Sequence, residues 1–327
     1  MAFLEAEGLS KTYVRRLKPT SGGLSRLWRR ETQRICALQN VSFSVERGEL
    51  VGILGPNGAG KSTVVKLLTG ILTPTEGTCR VDGRVPWGER REHVRHLGAV
   101  FGQRTQLWWD VPVSDSYALL RDIYRLEPAA WKRRLDELTD ALDLGDFLRT
   151  PLRQLSLGQR MRANLALTFL HDPQLVLLDE PTLGLDVLAK RQMIGFIKRI
   201  NEEKKATILV TSHDMDDLME MTRRVILIQR GKLAFDGDLQ ALLLRTGDRR
   251  TLRITRPGPA PELPGAKLVS SAQGVHAYEF IGTETPAVEL LARVSALAEV
   301  QDVELGRAPI ESVIAALYEK WKREQPA

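Results

Sequence analysis

Short unbroken apolar runs and stretches of helical periodicity alternate along this chain, and the two patterns predict different elements. LVGIL at 50–54, LVLL at 175–178 and ATILVTS at 206–212 are continuous apolar runs of strand length. Such runs suit strands of a parallel sheet that is buried on both faces. ALQNVSFSV at 37–45 reads as a further strand. Between 104 and 170 the pattern changes, with Trp131, Leu135, Leu138 and Leu142 recurring at helical spacing, so this region predicts mainly helix.

Past residue 244 the character shifts again. RRTLRITR, AKLVSSAQ and HAYEFI predict strands around a Pro/Gly-rich linker at 256–265. PAVELLARVSAL and PIESVIAALYEKW predict helices, with VQDVEL as a strand between them. The expected organisation is an α/β domain over 1–243, with its helical subdomain at about 104–170, followed by a small α+β accessory domain over 244–327. A chain of 327 residues fits about two domains. No catalytic constellation is evident in the C-terminal part.

Three junctions carry chemistry. The run at 50–54 leads into Gly55-Pro56-Asn57-Gly58-Ala59-Gly60-Lys61-Ser62-Thr63, and a helical pattern follows. This is a phosphate-binding loop in its strand-loop-helix context: glycines let backbone N–H groups close around phosphates, the helix N-terminus adds positive potential, and Lys61 supplies a compact cation. Ser62 would ligate Mg²⁺. Asp179 and Glu180 follow the run at 175–178, at the strand end where ligands bind. Asp179 is placed to hold Mg²⁺, directly or through water, and Glu180 to accept a proton from a water attacking the γ-phosphate. Ser156, followed three residues later by Gln159, is a capping box opening a helix, and with Gly158 it is also a phosphate-binding surface.

Composition narrows the class. The net charge of +6 equals the excess within 15–34 alone, where Arg15, Arg16, Lys18, Arg26, Arg29, Arg30 and Arg34 face only Glu31. A chain-wide basic footprint is therefore absent, and no nucleic-acid partner is expected. The basic segment reads either as a solvated loop or as a face toward anionic lipid headgroups, where each Lys or Arg contributes about 1 kcal/mol. The N-terminus lacks a basic stretch followed by an apolar one, and no run approaches the roughly 20 apolar residues of a spanning helix, so a cytosolic or peripheral protein is expected. Cys36 and Cys79 lack metal or redox spacing and read as reduced thiols.

Taken in order, these landmarks resemble the nucleotide-binding subunits of ABC transporters, over about residues 3–240; the PTLGLD and FGQRTQLWWD stretches and the C-terminal extension resemble drug-exporter ATPases of the daunorubicin and viologen type. The resemblance implies a P-loop NTPase fold of the ABC type, with a mixed-sheet core and a helical subdomain. It makes Tyr13 the adenine-stacking aromatic, Gln103 the Q-loop glutamine near Mg²⁺ and the γ-phosphate, LSLGQ at 155–159 the signature, LGLD at 183–186 with Asp186 the D-loop, and His213 the γ-phosphate sensor. Two sequence features depart from the family pattern: Leu157 stands where a second glycine is frequent, and the basic segment follows Tyr13 where a short turn is usual. By the same resemblance, two such subunits sandwich ATP with Mg²⁺, and their cycle drives separately encoded membrane permeases. Export is the expected direction, with an importer ATPase or a soluble ABC ATPase acting on nucleic acid as alternatives.

FGQRTQLWWDVPV at 101–113 brings two adjacent tryptophans into an aromatic-poor chain. In an extended segment their rings would point to opposite sides, one anchoring inward and the other facing a permease.

Overall fold

The computed structural model describes residues 2–16, 32–102, 105–212, 214–245, 248–308 and 312. It divides into two compact units: Met1–His213 with Glu220–Asp236, and Asp214–Met219 with Gly237–Ala327.

Along the first unit run β1 (Leu4–Arg16), β2 (Thr32–Val45), β3 (Leu50–Leu54), α1 (Lys61–Leu68), β4 (Glu76–Val81), α2 (Arg90–Arg95), β5 (Leu97–Phe101), α3 (Val113–Tyr124), α4 (Pro128–Leu142), α5 (Leu157–Phe169), β6 (Leu175–Asp179), α6 (Val187–Lys204) and β7 (Thr207–Ser212). They are followed by α7 (Met215–Met221), most of which belongs to the second unit, and by β8 (Arg224–Gln229) and β9 (Lys232–Asp238). Six strands form one sheet in the order β5-β6-β7-β3-β8-β9, and the pairs β5/β6, β6/β7, β3/β7 and β3/β8 are parallel. The continuous apolar runs are its central strands: every residue of β6 and β7 is buried, as a parallel sheet covered on both faces requires.

A second, antiparallel sheet has the order β2-β1-β4. Helix α1 lies between the two sheets. Val64, Val65, Leu67 and Leu68 share one core with Leu4, Leu38 and Val41 on one side and Ile53, Leu177, Leu209 and Ile226 on the other. Strand β2 begins at Thr32, five residues before the predicted start at 37. Residues 32–36 are exposed and carry no apolar alternation; their strand conformation comes from pairing with β1, through Arg16 opposite Thr32. The basic residues between, 17–31, lie outside the described residues.

The region 104–170 holds α3, α4 and α5, but 105–112 is irregular and the first helix starts only at Val113. Tyr117 on α3 is fully buried and its hydroxyl donates to the Ala163 carbonyl on α5 at 2.9 Å, which joins these two helices by a satisfied polar contact.

In the second unit, α8 (Leu239–Arg245), β10 (Arg249–Thr255), β11 (Ala266–Ala272), β12 (Val275–Ile281), α9 (Ala287–Ser295) and β13 (Asp302–Arg307) follow one another. The four strands form an antiparallel sheet, β11-β12-β10-β13. Leu252, Ile254, Tyr278 and Phe280 pack there against Leu290 and Val294 of α9. The helix read at 309–321 lies outside the described residues apart from Ser312. Among the described residues no helix is long and apolar enough to cross a membrane.

Both cysteines are free thiols. Cys79 sits inside the core beside β1, where burial pushes its thiol up to about 12, whereas Cys36 is exposed on β2. A thiol-reactive dye at pH 8 should therefore label one cysteine in the folded protein and the second only in denaturant. Rapid labelling of both without denaturant would contradict the packing of β4.

Candidate functional site

Strand register decides where the candidate residues meet. Ile53 on β3 stands opposite Thr211 on β7, Thr211 opposite Asp179 on β6, and Asp179 opposite Phe101 on β5. Four strands thus end within a residue of one another, and the loops that follow leave one edge of the sheet. In open α/β sheets the carboxyl edge is where ligands bind.

The loop after β3 is shaped by close backbone approach. Gly55 has φ 151°, and a Cβ on it would lie 2.2 Å from the Ile228 carbonyl oxygen; Gly60 has φ 115°, and a Cβ there would lie 2.7 Å from that of Ala37. No other residue fits either place. Pro56, Asn57, Gly58 and Ala59 arch between them, closed by the Ala59 N–H donating to the Pro56 carbonyl at 3.0 Å. Helix α1 then starts at Lys61, with Ser62 and Thr63 in its first turn. The first N–H groups of a helix lack intrahelical partners, so this turn presents donors and positive potential. The Lys61 ammonium is buried to 6% exposure and donates to the Gly55 carbonyl at 2.7 Å, and it lies 3.8 Å from Glu180 Oε1. A phosphate entering the loop would meet a cation already held over it.

Asp179 ends β6 and is nearly buried. Thr211, fully buried on the next strand, donates from Oγ1 to Asp179 Oδ1 at 2.6 Å, while the same oxygen accepts the Glu180 N–H at 3.0 Å. The Glu180 N–H also reaches the Thr211 carbonyl at 3.1 Å. Glu180 itself has φ 54°, a left-handed conformation costing a non-glycine residue roughly 1 kcal/mol or more, so the surrounding bonds hold it there. Thr211 was not among the residues expected from the sequence; the signal was a polar residue at the end of an otherwise apolar strand.

Of the remaining candidates, four lie at two helix N-termini, one lies on β1, and two lie outside the described residues. Ser156 caps α5: its Oγ accepts the Gln159 N–H at 3.2 Å and the Gln159 side chain accepts the Ser156 N–H at 2.9 Å, the full capping box. Asp186 caps α6, accepting the Ala189 N–H at 2.8 Å. These two helix N-termini lie together, a Cβ on Gly158 falling 3.4 Å from that of Ala189. Tyr13 lies on β1 opposite Ile35, with the Lys11 ammonium 5.8 Å from its ring centroid. Gln103 and His213 lie outside the described residues, although Gly102 N–H donates to the Asp179 carbonyl at 2.8 Å and so brings the end of β5 to the same edge.

Neither tryptophan anchors inward. Trp108 is 56% and Trp109 49% exposed, and the inward place in this segment belongs to Leu107, which is buried. The segment is not a regular strand, so the alternation expected of adjacent rings does not apply.

Thr211→Val keeps the shape but removes the donor to a nearly buried carboxylate. Urea unfolding should show a loss of about 1–3 kcal/mol, with Thr211→Ser close to wild type. Equal stability of the valine variant would mean that the contact contributes nothing.

The model for the family described as ABC transporter matches residues 38–183. The chain is 32% identical over 218 residues to the ABC transporter ATP-binding protein NatA of Bacillus subtilis, covering 67% of this chain and 88% of that one. It is 32% identical to a probable multidrug ABC transporter ATP-binding protein, YbhF of Escherichia coli, over 74% of this chain and 41% of that one. A methionine import ATP-binding protein, MetN of Symbiobacterium thermophilum, is 33% identical over 69% of each chain. Among solved structures, a dimeric ATP-binding cassette in a post-hydrolysis state with ADP and Pi superposes with a TM-score of 0.61 at 26% identity, covering 72% of this chain and 98% of that one. A buried lysine over a glycine-shaped loop, two carboxylates at the end of β6 on the same sheet edge and these likenesses agree: the chain belongs to the ABC transporter family, as an ATP-binding subunit that hydrolyses ATP.

Proposed function

We propose that this chain energises export of a solute through membrane permease subunits carried on separate polypeptides, by hydrolysing ATP between two copies of itself. The observation that carries the catalytic reading is the Lys61–Glu180 approach at 3.8 Å beside Asp179, at the edge where β3, β6 and β7 end together. In this reading backbone N–H groups of the loop and of the first turn of α1 cradle the phosphates, with Gly55, Pro56, Asn57, Gly58, Ala59, Gly60 and Thr63 shaping the loop. Phosphate oxygens take over the Lys61 ammonium, which leaves the Glu180 carboxylate to accept a proton from the attacking water. Tyr13 stacks on adenine, and Gln103 and His213 contact the γ-phosphate region.

Ser62, Asp179 and Gln103 would hold Mg²⁺, which supplies charge neutralisation of the phosphate oxygens. The donors fit a hard cation: Thr211 occupies one oxygen of Asp179, leaving the other for the ion. Among the described residues no cluster of three or more His, Cys, Asp or Glu could form an all-protein cage. Mg²⁺ typically takes only one or two carboxylates plus substrate phosphates and water, so it would not require such a cage.

Ser156, Gly158, Gln159 and Asp186 act on the nucleotide of the neighbouring copy. Leu183, Val187 and Leu188 are exposed around Asp186, an apolar surface that suits coverage by a second subunit. We assign 1–243 to the ATP-binding domain and 244–327 to an accessory domain. The subunit lies peripherally on the cytoplasmic face of the membrane, with the basic segment 15–34 toward anionic lipid and the exposed tryptophans toward the permease.

Export rests on the likeness to the multidrug-type relative. The likeness to the methionine import protein supports import as a second reading.

Glu180→Gln should bind ATP as tightly as wild type yet turn it over at least a hundredfold more slowly, because a carboxamide does not accept the proton. Turnover near wild type would remove Glu180 from the role of base. Direction is testable in inside-out vesicles prepared from cells carrying the full chain and its co-purifying spanning proteins. ATP-driven accumulation inside such vesicles is export; ATP-driven loss of preloaded solute is import.

A further inference from the structure

Residues 105–113 are fastened to helix α5 and to the turn that precedes it. Asn164, buried in the middle of α5, accepts at Oδ1 from Thr105 Oγ1 (2.9 Å) and from the Gln106 N–H (3.2 Å). Further along, the Arg153 N–H donates to the Trp109 carbonyl at 3.1 Å, the Leu152 N–H to Val111 at 3.4 Å, and the Val113 N–H to Thr150 at 3.3 Å. Between these two attachments stands Arg160. Its Nε donates to the Leu152 carbonyl at 3.2 Å, one Nη donates to the Arg153 carbonyl at 3.0 Å, and the guanidinium lies over the Trp109 ring, 4.6 Å from its centroid.

Arg160 sits in the first turn of α5, directly after the Ser156–Gln159 cap. A cation there opposes the positive end of the helix dipole and weakens the helix it belongs to. Two carbonyls and one aromatic face hold it in that unfavourable place. Trp109, for its part, is half exposed, so core burial does not account for a ring of this size at this point. Each residue breaks a local rule, and each is explained by the other.

We propose that Arg160 is a positioning residue: together with Trp109 it fixes the N-terminus of α5, and so the orientation of Ser156 and Gly158, against the turn that precedes the helix. The inference rests on the reading in which Ser156 and Gly158 complete the site of a neighbouring copy. It adds Arg160 and Trp109 to that site as supports of the helix end that carries Ser156 and Gly158.

The test uses the purified full chain and its Arg160→Ala, Arg160→Lys, Trp109→Leu and Trp109→Phe variants, with the Arg160→Ala/Trp109→Leu pair. MgATP affinity at low protein concentration, thermal midpoint, and ATPase rate against protein concentration are measured for each. Arg160→Ala and Trp109→Leu should keep wild-type MgATP affinity and lose only about 2–4 °C of thermal midpoint, yet require about fourfold more protein for half-maximal turnover, the size expected for losing a partly exposed cation–π contact. Trp109→Phe, which retains a π face, should recover most of the loss. The double variant should be no worse than Arg160→Ala alone. An additive double variant, a Trp109→Leu protein with unchanged concentration dependence, or parallel loss of MgATP affinity and thermal midpoint would overturn the proposal. Should Arg160→Ala not fold, Arg160→Lys carries the comparison, since it keeps the charge and loses the planar fork. Ser156→Asp is run alongside: if it leaves turnover intact the shared-site reading fails, whereas if it stops turnover and Trp109→Leu does not alter it, only the present inference fails.

Discussion

The parallel register of β5, β6, β7 and β3 is the constraint on which the rest of the first unit depends. Because Phe101, Asp179, Thr211 and Ile53 stand in one row, four loops from distant parts of the chain begin at the same edge. A slip of one residue in any strand would turn its alternate side chains to the opposite face and withdraw Asp179 from Thr211. Burial of every position in β6 and β7 protects that register, since no shifted pairing leaves the sheet's hydrogen bonds and both packed faces intact together.

On this edge, precise placement comes from a few buried polar contacts. Thr211 uses one hydroxyl twice, as donor to Asp179 and acceptor from Glu180, so two neighbouring acidic residues are oriented by a single side chain. Glycines at 55 and 60 let the loop pass against the Ile228 and Ala37 carbonyls. Lys61 and Glu180 face each other across the space that remains. In the proposed reading, phosphate oxygens compete with the carboxylate for the ammonium, so the same geometry would serve both phosphate binding and the freeing of Glu180 as base.

A second group of contacts lies at the helix N-termini. Ser156 and Asp186 each satisfy an orphan donor of their own helix, and Gly158 brings the two helices into van der Waals reach. Capping and phosphate recognition draw on the same unpaired N–H groups, so a residue can serve the fold in its own subunit and the chemistry of another. Leu183, Val187 and Leu188 around Asp186, and Trp108 and Trp109, are exposed apolar side chains that the proposed assembly would cover.

Much of this was legible in the sequence, because local physics decided it. Continuous apolar runs specified the central strands, glycine spacing specified the phosphate loop, and Ser156 with Gln159 specified a helix start whose two cap bonds are both present. The ABC family likeness was legible from the order of these motifs. Features set by partners far away in sequence were not. The early start of β2 depends on pairing with β1, since residues 32–36 carry no apolar pattern of their own. The role of Thr211 depends on register with a strand more than thirty residues earlier, and an isolated threonine at a strand end carries no sign of that. Trp108 and Trp109 were expected to divide between core and surface; tertiary packing gave the inward place to Leu107 and left both rings exposed, with Arg160 brought beside one of them from the start of α5. Residue types and their spacing determined which elements form and what chemistry they can carry, because those depend on neighbours along the chain. Which side chains meet was decided only when distant strands and helices packed, because each contact needs two segments whose relative placement neither encodes alone.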